Sequence, residues 1–208
     1  PDQHRLPDSV TSIGDGAFHY CTSLTNFSIG NNVISLGEEV FFGCTSLTNI
    51  SVDAANPAFS SLDGVLFDKA QTTLIAFPPG RGSYVIPNSV TSIGVNAFHN
   101  CTSLTSVTIP ASVTTIHPLA FYGCTSLTNV TIPNSVTAIG EKAFSGCASL
   151  TNVTIPNSVT SLGHQAFSGC TNLTSVTIGS GVISLGLLPF DGCKSLTNFS
   201  VEAANPAY

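Results

Sequence analysis

The residues of this chain whose chemistry could support catalysis or metal binding are seven cysteines and five histidines. A zinc site needs ligands paired at spacings such as C-x-x-C, and a nucleophilic thiol needs a nearby base. No cysteine has a second ligand at such a spacing, and no histidine is accompanied by a carboxylate or a nucleophile in a recognisable pattern. We therefore predict no catalytic residue, no metal and no cofactor, so that an enzyme is the least favoured class.

The cysteines instead mark an internal repeat. They occupy a fixed position of a 23-residue period, first at Cys21 and Cys44 and then from Cys101 to Cys193. The sequences that follow them are nearly identical, for example CTSLTSVTI from Cys101 and CTSLTNVTI from Cys124. A fixed period of this size indicates one supersecondary unit stacked on copies of itself, so the chain is predicted to be a solenoid.

The composition restricts the classes of partner. Charged residues make up 8% of the chain, and the net charge is −6. This balance excludes the basic surface that nucleic acids or anionic membranes require. No run approaches the ~18 apolar residues of a membrane-spanning helix, so membrane insertion is not expected. With few charges to keep copies apart, the sequence predicts that the solenoid can self-associate end to end.

Each repeat contains two apolar groups at strand spacing. Leu104, Val107 and Ile109 follow the pattern L-x-x-L-x-L, which is typical of the short strand in a leucine-rich repeat. Val113 and Ile116 form a second apolar pair on another short extended segment. Stacking the repeats brings the strands about 4.8 Å apart, which predicts a parallel sheet on one face and short strands elsewhere.

The end of each repeat is predicted to be a helical or 3₁₀ turn, since Ala120 and Phe121 lead directly back to Cys124. A glycine usually stands at the start of this turn and is expected to adopt a positive φ. The glycines at this position are Gly94, Gly140, Gly163 and Gly186.

The phenylalanines and cysteines of successive turns are predicted to stack inward as a structural ladder. Neighbouring coils project their side chains in parallel, whereas a disulfide needs the two side chains turned toward each other. Buried free thiols are therefore expected rather than disulfides. The predicted ladder comprises Cys21, Cys44, Cys101, Cys124, Cys147, Cys170, Cys193, Phe98, Phe121, Phe144, Phe167 and Phe190.

One insertion interrupts the period. We predict a single solenoid over residues 1–208, a fragment of a longer protein, with an insertion at 53–86. Within the insertion, 64–67 and 73–77 flank a short polar segment and predict a β-hairpin, either on the side of the solenoid or joined to its main sheet. The segment 201–208 restates the beginning of this insertion and is expected to start a second, truncated one.

These residues resemble the BspA-like, treponeme-type leucine-rich repeat family. The family motif L-x-x-L-x-I-P-x-S-V-x-x-I-G-x-x-A-F-x-x-C stands here as LTSVTIPASVTTIHPLAFYGC from Leu104 to Cys124. The resemblance implies an α/β-type leucine-rich repeat solenoid from a bacterial cell-surface or secreted protein. It also implies an adhesin or interaction module without catalytic residues.

The candidate binding face is the outward side of the main strands. A protein or glycan ligand is expected there, although small polar residues also simply suit exposed strand positions. A passive spacer is the alternative function, and an ice- or crystal-binding face is a minor one. The candidate residues are Ser106, Thr108, Asn129, Thr131, Asn152, Thr154, Ser175 and Thr177.

The remaining histidines and acidic residues are predicted to be solvated. His19 and His99 share a repeat position but belong to coils separated by another coil and the insertion. We therefore expect them to be exposed turn residues, and we expect Glu38 and Glu39 to be solvated in the same way. The three aspartates of the insertion would make only a weak calcium site, because their spacing matches no EF-hand loop. They are Asp53, Asp63 and Asp68.

Overall fold

The computed structural model describes residues 6–203, which form a solenoid of short strands and turns. Each regular coil has three sides: a strand of the main sheet, a strand of a second sheet, and a turn that returns the chain. The strands are β1 (Ser12–Ile13), β2 (Asn26–Ile29), β3 (Ser35–Leu36), β4 (Asn49–Val52), β5 (Phe59–Leu62), β6 (Val65–Asp68), β7 (Thr73–Ala76), β8 (Ser83–Val85), β9 (Ser92–Ile93), β10 (Ser106–Thr108), β11 (Thr115–Ile116), β12 (Asn129–Thr131), β13 (Ala138–Ile139), β14 (Asn152–Ile155), β15 (Ser161–Leu162), β16 (Ser175–Ile178), β17 (Ser184–Leu185) and β18 (Asn198–Val201).

The main sheet follows the 23-residue period. Its strands are parallel, and regular coils pair each residue with its equivalent one period later, as Val107 pairs with Val130. Alternation places the valines in the core and their polar neighbours outside, as the spacing predicts. The sheet consists of three hydrogen-bonded groups: β2–β4, β8–β10–β12 and β14–β16–β18.

The second sheet is longer and less interrupted. It contains eight strands in the order β17-β15-β13-β11-β9-β7-β6-β5, whereas β1 and β3 pair separately. The regular strands of this sheet are only two residues long, and they pair in parallel one period apart, as Ile116 pairs with Ile139. Each contributes one inward residue to the core, so this side of the solenoid is narrow.

The insertion is built into the solenoid. β6 pairs antiparallel with β7 across the polar segment where the sequence predicts a hairpin, and β7 then pairs parallel with β9 of the second sheet. β5, which the sequence does not indicate, pairs antiparallel with β6. The three apolar residues of β6 are therefore completely buried. Most of the segment 201–208 lies outside the described residues, but β18 ends at Val201 and pairs with β16.

The prediction of helical or 3₁₀ turns on the return side, and with it the α/β class of the solenoid, is wrong. Residues 6–203 contain no helix, because two residues of each regular turn have a positive φ, for example Lys142 at 52° and Gly146 at 75°. Left-handed residues four positions apart prevent a continuous run of helical hydrogen bonds. Every second amide of the turn instead donates to the carbonyl three residues earlier in the same turn, as Ser145 N donates to Lys142 O at 3.1 Å.

The other amides of each turn join it to the following coil. Lys142 N donates to His164 O at 2.8 Å, and Phe144 N donates to Ala166 O at 2.7 Å. Gly146 N does the same to Ser168 O, again at 2.7 Å. We call this set of three inter-coil hydrogen bonds, repeated from turn to turn, the turn ladder. It satisfies the backbone groups that a helix would otherwise pair within itself.

The expected role of the repeated glycine is also wrong. The glycines at the start of the turn do not have a positive φ; that conformation belongs to residues two and six positions further on. A Cβ atom at Gly140 or Gly163 would approach the backbone of the preceding coil within 3.0 Å. Glycine is therefore needed there for close coil-to-coil packing rather than for a special backbone angle.

The core is organised as a stack of phenylalanine rings and thiols. Phe98, Phe121, Phe144 and Phe167 are completely buried, and neighbouring rings in this series lie 4.6–5.0 Å apart. Phe190 is only partly buried, at 5.7 Å from the preceding ring.

All seven cysteines are free, and five are buried, but Cys21 is exposed and Cys193 is half-buried. Most of the thiols are also hydrogen-bond donors: Cys147 Sγ donates to Phe121 O at 3.2 Å, and Cys124 Sγ donates to Phe98 O at 3.1 Å. Burial raises the pKa of both thiols, so that they keep the proton they donate. The cysteine is therefore more than a small apolar residue, because it gives a second hydrogen bond to a carbonyl of the preceding coil.

Candidate functional site

The structure places the predicted binding residues together on the outward side of the main sheet. Those on β10, β12 and β14 are exposed, whereas Ser175 and Thr177 on β16 are half-buried. Backbone pairing sets Ser106 beside Asn129 and Thr108 beside Thr131, and it sets the residues of β14 beside those of β16. The eight residues thus form two polar patches on one surface.

The main sheet is interrupted between these two patches. In other regular coils the threonine before the strand donates its amide to its equivalent in the preceding coil; for example, Thr174 N lies 2.8 Å from Thr151 O. The corresponding bond from Thr151 to Thr128 is missing, and β12 and β14 lie side by side without ladder pairing. The sequence does not indicate this break, because the repeats on its two sides are almost identical.

A groove of about 460 Å³ lies at this break, and we call it the strand groove. Four of the predicted residues line it: Asn129, Thr131, Asn152 and Thr154. The side chains of Asn134 and Asn157 add two further amides to the lining, and Glu202 is the one charged residue among the described residues that line it. The groove therefore offers mainly neutral hydrogen-bond donors and acceptors.

A second candidate site was not foreseen from the sequence. Where the insertion interrupts the turn ladder, a cavity of about 130 Å³ remains between the turn at 37–42 and the turn at 95–99. We call it the junction cavity. Its walls are largely apolar and include Leu66, Ile75 and Phe77, and its polar lining residues include Glu39, Asn96 and His99.

The prediction that His19 is an exposed turn residue is confirmed, but the expectation that His99 and Glu39 are separate solvated residues is wrong. Glu39 lies between the two histidines, with its Oε1 3.3 Å from His99 Nδ1 and its Oε2 3.6 Å from His19 Nε2. The coil between His19 and His99 supplies the carboxylate, and the insertion adds only part of a turn on this side. The rings of Phe42 and Tyr122 pack edge-on against the imidazole of His99, whose side chain is 9% exposed.

The electrostatic balance at His99 is set by burial. Removal from water lowers the pKa of His99, and the neighbouring Glu39 carboxylate opposes this effect without overcoming it. The contact with Glu39 does not have hydrogen-bond geometry, so His99 Nδ1 has no hydrogen-bond partner within residues 6–203. The neutral imidazole is therefore the favoured form at the wall of the junction cavity.

A pH dependence of stability follows from this shift. Between the ordinary histidine pKa of about 6.5 and the lower value in the folded state, the unfolded chain binds the proton more readily. We therefore expect His99 to cost no stability above about pH 6.5 and to destabilise the folded state progressively as the pH falls below that value. Thermal melts at about pH 7.5 and pH 5.5 should show a smaller pH-dependent loss in His99→Gln than in the parent.

His117→Gln is the matched control, because His117 occupies a turn of another coil and does not line the cavity. An equal loss of melting temperature in all three proteins would contradict a role for His99 in the pH response.

Two of the three aspartates of the insertion bind the local backbone through their carboxylates. Asp68 Oδ1 accepts hydrogen bonds from the amides of Thr72 and Thr73, both at 2.8 Å, and Asp53 Oδ1 accepts one from Ala55 N at 2.9 Å. Among the described residues, no group of three or more histidine, cysteine, aspartate or glutamate side chains is placed to hold a metal ion.

The family model of the BspA type leucine-rich repeat region matches residues 2–80 and 82–204 in six copies. The chain belongs to the BspA-type leucine-rich repeat family. A search of curated proteins gave no match. The resemblance noted from the repeat motif is thereby confirmed, and the sheet-lined solenoid described above is the BspA-type repeat fold.

Solved structures of other bacterial proteins share the fold of this BspA-type chain. A leucine-rich cell surface protein from Faecalibacterium prausnitzii is 33% identical, with a TM-score of 0.86, and the match covers 95% of this chain and 53% of that protein. A leucine-rich repeat protein from Eubacterium ventriosum is 27% identical, with a TM-score of 0.88 and coverage of 94% and 53%. The pneumococcal vaccine antigen PcpA, at 24% identity, has the same fold, with a TM-score of 0.81 and coverage of 97% and 57%. The chain thus spans about half the length of these relatives.

A search of the described residues for membrane-crossing helices found none of sufficient length and hydropathy.

Proposed function

We propose that this chain is a non-catalytic recognition module of a cell-surface or secreted bacterial protein. It binds a protein or glycan ligand through the outward side of the main sheet. The observation that carries this proposal is the strand groove, which four of the eight predicted residues line at the break between β12 and β14. A similar protein from Faecalibacterium prausnitzii is described as a cell surface protein, which supports the proposed location.

The chemistry of the strand groove favours a neutral, polar ligand. Asn129 and Asn152 each present a donor and an acceptor, and Thr131 and Thr154 add hydroxyl groups. A ligand rich in hydroxyl or amide groups could satisfy these side chains without a countercharge. The gap between the two strands adds depth to an otherwise flat sheet, and a concave site buries more of a ligand than a flat one.

The test is a binding measurement on an immobilised panel of extracellular-matrix proteins, mucins and cell-wall glycans. The parent is compared with a quadruple variant, Asn129→Arg, Thr131→Arg, Asn152→Arg and Thr154→Arg. Long charged side chains would fill the strand groove, so we expect binding to weaken at least tenfold, or by about 1.4 kcal/mol.

The matched control places arginine at Thr114, Thr137 and Thr160, which are exposed beside the second sheet. This control should bind as the parent does. Equal binding by the parent and the quadruple variant would contradict a site in the strand groove. No binding by the parent to any member of the panel would instead support a passive spacer.

A further inference from the structure

The junction cavity lies where the turn ladder is broken. The turn of the first coil donates the amides of Gly16, Phe18 and Tyr20 to the turn that contains Glu39. One period later, the equivalent donors are the amides of Glu39, Phe41 and Gly43. Within residues 6–203 these three amides make no hydrogen bond to a following coil, so one wall of the gap carries backbone donors without acceptors.

The insertion supplies only part of the missing turn. Phe77 takes the place of the stacked phenylalanine, with its ring 4.9 Å from Phe98, and its amide donates to Ala97 O at 2.8 Å. Pro78 and Pro79 follow, and proline has no amide hydrogen to donate. Pro79 therefore cannot donate to His99 O, and within the described range neither His99 O nor Val95 O receives a backbone hydrogen bond from the preceding coil.

A buried side chain between these walls is also without a partner. Both polar atoms of the Asn96 side chain, Oδ1 and Nδ2, are inaccessible to solvent and make no hydrogen bond among residues 6–203. Asn96 lines the junction cavity, as does His99, whose Nδ1 likewise makes no hydrogen bond within residues 6–203. Buried polar groups are nearly always paired. An unpaired side-chain amide beside a cavity therefore indicates that a ligand in the cavity supplies the missing hydrogen bonds.

We propose that the junction cavity binds a short extended peptide segment of small residues, which restores the missing part of the turn ladder. The carbonyls of such a segment would accept from the amides of Glu39 and Phe41. Its amides would donate to the free carbonyls of Val95 and His99 and to Asn96 Oδ1. Addition of an extended peptide to unpaired backbone groups is an established mode of peptide recognition.

The size and charge of the cavity narrow the choice of peptide. A volume of about 130 Å³ is close to that of cavities that hold one benzene molecule, so the cavity encloses only one small side chain of the segment with its peptide group, and large side chains are excluded. Leu66, Ile75 and Phe77 provide apolar walls for a methyl group. The Glu39 carboxylate would repel a free carboxyl terminus. An internal or capped segment containing glycine and alanine fits these conditions.

The test uses NMR of the uniformly ¹⁵N-labelled chain, titrated with acetyl-Ala-Gly-amide. We expect saturable shifts confined to the amides around Glu39, Phe41, Asn96 and His99. Asn96→Gly should weaken binding at least tenfold, and it suits the left-handed φ of 58° at this position. The matched control is Asn100→Gly, which removes the same side chain at a φ of 52° outside the cavity lining and should bind normally.

Two results would overturn the proposal. The first is an absence of saturable shifts, or equal affinity in the parent and Asn96→Gly when both melt at the same temperature. The second is tighter binding of N-acetylglucosamine with the same shifted amides, which would assign the cavity to an acetylated sugar. The quadruple variant of the strand groove should still bind the peptide, which separates this site from the proposed recognition face.

Discussion

Replacing Phe144 with alanine is expected to lower the free energy of unfolding by about 3–5 kcal/mol. The ring of Phe144 is completely buried and lies parallel to its neighbours, 5.0 Å from Phe121 and 5.0 Å from Phe167. Its removal leaves a cavity in the middle of the stack, and the rings on either side are fixed by their own turns. Chemical denaturation, read by circular dichroism, measures the loss.

The matched control is Phe199→Ala, because Phe199 is half exposed and should contribute much less. Hydrogen exchange adds a spatial test. In a repeat array each coil contacts only its neighbours, so the loss of protection should be greatest in the coil of Phe144 and in the adjacent coils of Phe121 and Phe167. A Phe144→Ala protein as stable as the parent would refute the assignment of this ring to the core.

The second large effect is expected at Asn56, the one fully buried polar residue of the described chain. Asn56 Nδ2 donates to Gly30 O at 2.7 Å and to Val33 O at 2.8 Å. Its Oδ1 accepts from the amides of Ala58 and Phe59 at 2.9 and 2.8 Å. Asn56→Ala should lower the free energy of unfolding by about 3 kcal/mol, because each buried group left unpaired costs about 1–3 kcal/mol.

Asn32→Ala is the control for this prediction, since Asn32 makes an exposed hydrogen bond to Asp8 O and should cost little. Thermal melts of the two variants and the parent decide the matter. Equal melting temperatures for Asn56→Ala and Asn32→Ala would show that the four hydrogen bonds of Asn56 do not hold the insertion against the solenoid.

Much of the regular fold could be predicted because every regular coil repeats the same pattern of apolar residues. Leu104, Val107 and Ile109 recur at one spacing, and the structure buries all three. The backbone conformation of the return turn could not be predicted in this way. The sequence around Ala120 and Phe121 is compatible with a helix, and the decisive factor is the hydrogen bonding between turns, which exists only once the coils are stacked.

The candidate sites were predictable to different degrees. Period-2 alternation places Asn129 and Asn152 outside, but nothing in two nearly identical repeats indicates that their strands separate. The junction cavity depends on what the insertion lacks. Its one signal in the sequence is Phe77 followed by Pro78 and Pro79. The phenylalanine keeps the stacked ring of the repeat, whereas Pro79 lacks the amide that would donate to the following turn.

The turn ladder also gives the solenoid a direction. All three of its hydrogen bonds point from one coil to the next along the chain, as from Phe121 N to Ala143 O, so the peptide dipoles on this side add rather than cancel. One end of such an array carries donors and the other carries acceptors. Two copies joined through these ends would meet head to tail, and a head-to-tail contact whose rotation does not close extends into a filament rather than a dimer.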